Sequence, residues 1–184
     1  MEIIKTPIAD LLIIKPRVFE DARGYFCETY NAGKFRELGI NLDFCQDNQS
    51  KSSYGVLRGL HYQLNPQSQS KLVSAAQGAV WDVAVDLRAS SPTFGQWFGV
   101  ELSEENHLQF LIPQGFAHGF SVLSETALFT YKCDNFYSPT LERGILFNDT
   151  DLAIDWKIPV DKAIVSDKDF KHPLFKDAEK NFQT

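Results

Sequence analysis

The sequence predicts an all-β protein, a sandwich or a barrel, from three observations. Most apolar segments alternate with period two, the mark of half-buried strands. They are short and closely spaced between turn residues, and no strand–helix–strand rhythm interrupts them.

The elements follow in order. Residues 11–14 form a first strand ending at Lys15-Pro16, and residues 23–30 a second, around Gly24. Strands over 55–63, 71–77 and 79–87 come next, the last two parted by a turn at Gly78. Segments 94–102, 108–112, 118–123 and 127–132 complete the run. A short apolar-faced helix is expected over 32–38, stopped by Gly39, and a weaker helical signal lies over 173–181. With no repeat, linker or low-complexity stretch, residues 1–184 are expected to form one domain. Its polar tail, from about 173, is expected to fray over the last dozen residues.

Composition narrows the function. The 184 residues are 43% hydrophobic and include 15 Phe, enough apolar material for one full core and too much for disorder. A net charge of -6 without a long Lys/Arg block argues against nucleic-acid or membrane-surface binding. An anionic substrate would need a locally basic pocket. Three cysteines, Cys27, Cys45 and Cys133, show no CxxC spacing, which disfavours a disulfide framework or structural zinc and suits a reducing compartment. No early apolar run is long enough for a signal peptide or a membrane span, so a cytoplasmic location is expected.

Along residues 81–87, Trp81, Val83, Val85 and Leu87 share one face, and Asp82, Ala84 and Asp86 the other. Solvation is the expected state of Asp86; Asp82 is either solvated or lines a polar cavity. Further on, Pro113-Gln114-Gly115-Phe116-Ala117-His118 resembles the second conserved motif of cupins, which are jelly-roll barrels. A tight turn would deliver His118 to the start of a strand at the barrel mouth, as a functional group or merely as a partner for a loop carbonyl. Metal cupins also carry a His-x-His, but here His61-Tyr62-Gln63 puts an amide at the second position. One imidazole and an amide bind transition metals poorly. Neither His107 nor His172 is expected to repair the set, so no metal is expected.

What remains is Arg58, His61 and Lys71 within otherwise apolar strands, charges that are costly to bury without a partner or ligand. The stretch Val56-Leu57-Arg58-Gly59-Leu60-His61-Tyr62-Gln63, followed by Lys71-Leu72-Val73, resembles the dTDP-4-dehydrorhamnose 3,5-epimerase family. The likeness runs on through Asp82-Val83-Ala84-Val85-Asp86-Leu87-Arg88, Ser91-Pro92-Thr93-Phe94-Gly95 and residues 112–120. It continues at Tyr131-Lys132, Tyr137-Ser138-Pro139, Asn148-Asp149 and Ser166-Asp167-Lys168-Asp169, and so covers nearly the whole chain.

The resemblance implies an all-β, cupin-type jelly-roll barrel with a few short flanking helices, acting without a cofactor on a dTDP-linked 4-keto-6-deoxy sugar. It implies a homodimer in which an N-terminal strand reaches across the interface. It makes His61 the general base, Asp169 its carboxylate partner, Lys71 the neutraliser of the enolate oxygen and Tyr131 the general acid. Substrate contacts would come from Arg23, Glu28, Gln46, Asp47, Asn48, Arg58, His118, Glu142 and Lys168, with Tyr137 stacking on the nucleobase. Phe136 departs from the pattern, since relatives often carry a second tyrosine there. Of Asp167 and Asp169, the spacing after Ser166 selects Asp169.

The chemistry fits these residue types. A C4 ketone acidifies the C3 and C5 hydrogens by delocalising the carbanion as an enolate, and inversion requires a base on one face of the ring and an acid on the other. A carboxylate beside a histidine fixes its tautomer, and a cation stabilises the developing oxyanion. Strict alternation sets Arg58 and His61 on opposite faces of one strand, so either a bulge at Gly59 re-aims one of them or Arg58 reaches the site differently. Narrower alternatives are a 3-only or a 5-only epimerase. A non-catalytic nucleotide-sugar binder would not need His61, Lys71, Tyr131 and Asp169 together.

Overall fold

The computed structural model describes residues 1–183. The strands are β1 (Glu2–Lys5), β2 (Leu12–Lys15), β3 (Val18–Asp21), β4 (Gly24–Cys27), β5 (Gln46–Ser53), β6 (Leu57–Gln63) and β7 (Lys71–Gln77). After them come β8 (Ala79–Asp86), β9 (Trp97–Ser103), β10 (Gln109–Ile112), β11 (Phe116–Val122), β12 (Thr126–Cys133) and β13 (Glu142–Gly144). One short helix, α1 (Ala32–Glu37), starts at Asn31, whose side chain accepts from the Lys34 N–H. Single 3-10 turns cover Val160–Lys162 and Asp169–Lys171.

Two antiparallel sheets are built from these strands. One runs β1-β2-β10-β7-β12-β5, the other β13-β6-β11-β8-β9, and β3-β4 forms a separate hairpin. The alternation predicted from sequence decides what each face meets. Val73, Ala75, Phe110 and Phe129 of the first sheet pack against Val80, Ala84, Phe116 and Phe120 of the second, so the main core lies between them. The arrangement is consistent with a cupin-like double-stranded β-sheet fold.

The outer faces are covered too. Leu72, Leu111 and Ile14 meet Phe35 of α1. On the second sheet, Leu57, Leu60, Val83, Val85 and Ala117 are roofed by Ile145, Phe147, Trp156, Ala178 and Phe182. Each fully buried side chain of this size contributes about 1.5–3 kcal/mol relative to exposure. The C-terminal segment is therefore docked, against the expectation that it frays: Phe182 and Ala178 are buried, and the Tyr62 hydroxyl donates to the Glu179 carbonyl.

Several expectations need correction. Residues 173–181 carry turns and no helix. The apolar Phe175 and Ala178 pack an irregular strap against the second sheet. The strand expected over 23–30 is only β4, paired with the unforeseen β3, and Glu28 to Tyr30 lie outside it. Asp86 is fully buried, not solvated. It accepts from the Arg88 guanidinium, Ser91 and Thr93, bonds that outweigh the upward push of burial and leave its carboxyl below the usual range. His118 lies within β11 with its side chain buried in the interior, not at a strand start.

Candidate active site

The site begins with a broken alternation on β6. Opposite β11, Arg58 faces Phe120 and His61 faces His118, so three steps on one strand match two on the other. This bulge turns Arg58 and His61 toward the same side, as the Gly59 expectation required. Gly59 has φ +134, and a Cβ there would come within 2.6 Å of the Gly119 Cα. Only glycine combines that backbone with so close an approach.

Asp169 reaches His61 from the far end of the chain because residue 164 is stitched to the strand's entry. The Ile164 N–H donates to the Gly55 carbonyl at 2.8 Å, and Leu57 N–H donates to the Ile164 carbonyl at 3.0 Å. Ser166 then accepts from the Asp169 N–H at 3.2 Å. The result is His61 Nε2 at 2.7 Å from Asp169 Oδ1, with the carboxylate buried and the imidazole about a third exposed. When Nε2–H donates to the carboxylate, Nδ1 is left as the basic nitrogen. Burial pushes the Asp169 carboxyl up, but the His61 bond, with help from Gly59 N–H and His172, holds it below the usual range.

The first sheet supplies the facing groups. Lys71 on β7 stands opposite Cys133 on β12, and its ammonium lies 6.0 Å from the Tyr131 ring centre. Burial lowers the Lys71 pKa and raises that of Tyr131, which keeps the phenol protonated at neutral pH. Behind them, His118 Nε2 meets both Asp82 oxygens at 2.9 and 3.0 Å, so Asp82 is buried and paired, not solvated. Burial pushes Asp82 up and His118 down, each partly offset by the other.

A rim of polar groups is linked in a chain. The Tyr137 hydroxyl donates to Glu142 Oε2 at 2.9 Å, and Lys168 pairs with the same oxygen. The Tyr137 N–H donates to Gln46 Oε1, whose amide donates in turn to Asn48 Oδ1, each at 3.0 Å. Arg58 rests on Ser52 Oγ at 3.2 Å. Arg58, His61, Lys168 and Asp169 line a cavity of about 370 Å³. A larger one of about 540 Å³ lies between the outer face of the first sheet and the β3-β4 hairpin, away from the dyad.

Three predicted contacts stand elsewhere. Asp47 alternates with Asn48 on β5 and turns outward to Lys132. Arg23, at the hairpin tip, is bonded to Asp21, and Glu28 to Lys34 and Asn31. Unexpectedly, His172 joins the dyad. One ring nitrogen of His172, one of His61 and a carboxylate oxygen of Asp169 form a cluster of ligand-capable atoms within 4.8 Å of one another. The sequence set His172 aside only as a metal ligand and assigned it no place beside His61 and Asp169. Two ligands on one tetrahedral zinc sit roughly 3.3 Å apart, given Zn–N bonds of about 2.0–2.1 Å. The 2.7 Å between His61 and Asp169 fits a hydrogen bond.

The chain has close relatives. Residues 5–177 match the family model described as dTDP-4-dehydrorhamnose 3,5-epimerase. The dTDP-4-dehydrorhamnose 3,5-epimerase of Shigella flexneri is 56% identical over 180 residues, 97% of this chain and 98% of that one. The chain belongs to the dTDP-4-dehydrorhamnose 3,5-epimerase family. The crystal structure of the Elizabethkingia anophelis epimerase superposes with a TM-score of 0.92 at 62% identity, covering 96% of this chain and 97% of that one. The Legionella pneumophila dTDP-6-deoxy-D-glucose-3,5-epimerase, solved in complex with dTDP-4-keto-L-rhamnose, gives 0.94 at 49% identity, covering 100% and 99%. The activity is accordingly that of this family of isomerases, a step of dTDP-L-rhamnose biosynthesis.

Part of the family pattern is structural. Asp86, Arg88, Ser91 and Thr93 bond one another. Asp149 accepts from the backbone of Asp151, Leu152 and Phe175, fastening the strap. His172 had one readable signal, its place three residues after Asp169, just past the 3-10 turn that brings the two side chains together.

Proposed function

We propose that the site inverts C3 and C5 of dTDP-4-keto-6-deoxy-D-glucose by moving protons between the two sheets. The observation that carries this reading is placement: His61 stands on β6 of one sheet, while Lys71 and Tyr131 stand on β7 and β12 of the other. A sugar ring held between the sheets has a base on one face and a phenol on the opposite one. His61, held by Asp169, removes the proton alpha to the C4 ketone. The Lys71 ammonium takes up the charge on the enolate oxygen, and Tyr131 returns a proton to the other face. Electrons stay within the substrate, so the steps call for no redox cofactor, and no residue named here needs a metal.

The Arg58 and Lys168 cations supply the local positive charge that an acidic chain needs to hold a diphosphate, and the exposed Tyr137 ring suits the nucleobase. Arg23 and Glu28 stand away from the His61–Asp169 pair within one protomer, bonded to their own neighbours. They fit a homodimer in which the β3-β4 hairpin, with Phe19, Tyr25 and Phe26 exposed, enters a partner's site. We read residues 1–184 as one domain whose two sheets close into a jelly-roll barrel, and its location as cytoplasmic; no described helix is long and apolar enough to cross a membrane.

Tyr131→Phe in D2O tests the division of labour. The base alone should wash deuterium into C3 and C5 with retention, while inverted product falls by roughly 10²–10⁴-fold, the usual worth of a general acid. Inversion at the wild-type rate would remove Tyr131 from the acid's role.

A further inference from the structure

We propose that His172 is a positioning residue that shares the Asp169 carboxylate with His61 and so sets how firmly that carboxylate holds a proton on His61. The inference rests on the reading of His61 as the base. Three features of the geometry support it. First, His172 Nε2 lies 3.4 Å from Asp169 Oδ1, the same oxygen that meets His61 Nε2, and this buried nitrogen makes no hydrogen bond among the described residues, so Oδ1 is the acceptor within its reach. Second, the two imidazoles meet edge to face, with centres 5.6 Å apart. Third, the ring occupies a slot that the fold leaves open for it. Gly144 on β13 stands directly opposite His61 on β6, and a Cβ at Gly144 would come within 2.3 Å of His172 Nε2. The wall beside the base is thus an imidazole where any other residue at 144 would put its own side chain.

The consequence follows from competition for one acceptor. A proton on His172 Nε2, 3.4 Å from Oδ1, would withdraw electron density from the carboxylate that stabilises the His61 imidazolium. Any positive charge on His172 opposes that imidazolium directly. Both effects make His61 give up its proton more readily. Burial and the neighbouring His61 hold His172 below the usual histidine range, with Asp169 opposing, so it acts mainly as a neutral donor. The other charged groups around the trio are Arg58 on β6, His118 on β11, Glu142 on β13 and Lys168 beside Asp169. None of them is bonded to Asp169 Oδ1.

His172→Phe keeps a ring in the slot and removes the donor; His172→Gln keeps a neutral donor. In the Phe variant the acid limb of kcat/KM should move to higher pH by about half a unit to one unit. That is the size of one net hydrogen bond converted at about 1.36 kcal/mol per unit. The Gln variant should stay near wild type. The His61 titration midpoint followed by NMR in the free protein should shift in parallel, a readout that stands even if the protein epimerises nothing. On the wild type, nitrogen shifts should show the proton of His172 on Nε2. An unmoved limb and midpoint in the Phe variant would overturn the proposal. So would equal movement in both variants, which would assign the effect to packing, or a His172 Nε2 that carries no proton.

Discussion

Replacing Asp169 by Asn removes one charge and leaves the shape. At 2.7 Å, to a carboxylate that is nearly inaccessible, the bond from His61 is of the charge-assisted kind. Such bonds are worth about 1.5–3 kcal/mol net. At 1.36 kcal/mol per unit, this corresponds to about one to two pH units of proton affinity on His61. The negative charge favours the imidazolium, so its loss makes protonation of the base require a lower pH. The acid limb of kcat/KM should therefore move down by that amount in Asp169→Asn. The amide also no longer dictates which ring nitrogen carries the proton, and kcat should fall, by up to roughly 10²–10⁴-fold if the base is fully lost.

Stability gives a second readout with its own sign. The Asp169 carboxyl is held below its unfolded value, so its contribution is complete above about pH 4 and disappears as the pH falls through the folded value. The gap in unfolding free energy between wild type and Asp169→Asn should be constant near neutrality and narrow in acid. A fixed acid limb with near-wild-type kcat would refute the pairing.

Three more outcomes are expected. Activity should survive exhaustive chelation, and no stoichiometric transition metal should copurify; activity restored by one particular metal would contradict the hydrogen-bonded reading of His61 and Asp169. Tyr137→Ala should weaken binding of free dTDP about 5- to 150-fold by calorimetry, the equivalent of about 1–3 kcal/mol of stacking, whereas unchanged affinity would place the nucleobase elsewhere. Gly59→Ala should lower stability in urea by about 2–6 kcal/mol, from positive-φ strain and a clash with the Gly119 backbone; a neutral effect would mean the bulge is not needed.

What the sequence disclosed depended on whether a strand's two faces differ in polarity. Lys71–Gln77 is legible to the residue because Leu72, Val73 and Ala75 have distinct apolar surroundings. Gln46–Ser53 escaped notice because its inward face, Gln46, Asn48, Ser50 and Ser52, is as polar as its outward one. A strand that lines a polar site loses the apolar signal that reveals strands. Asp86 misled for a related reason: its partners Arg88, Ser91 and Thr93 lie beyond the strand, where alternation says nothing about who turns back to meet it. The dyad was readable only through family likeness. Nothing in spacing joins His61 to a carboxylate 108 positions away; the join is made by the Ile164 stitch.

One base and one acid on facing sheets are proposed to invert two carbons of one sugar. Incubation of the wild-type protein with dTDP-4-keto-6-deoxy-D-glucose in D2O, followed by mass and NMR analysis, counts the exchanged positions directly. Deuterium is expected at both C3 and C5, each with inverted configuration. Exchange confined to one carbon would contradict it and assign the site to a single-centre epimerase.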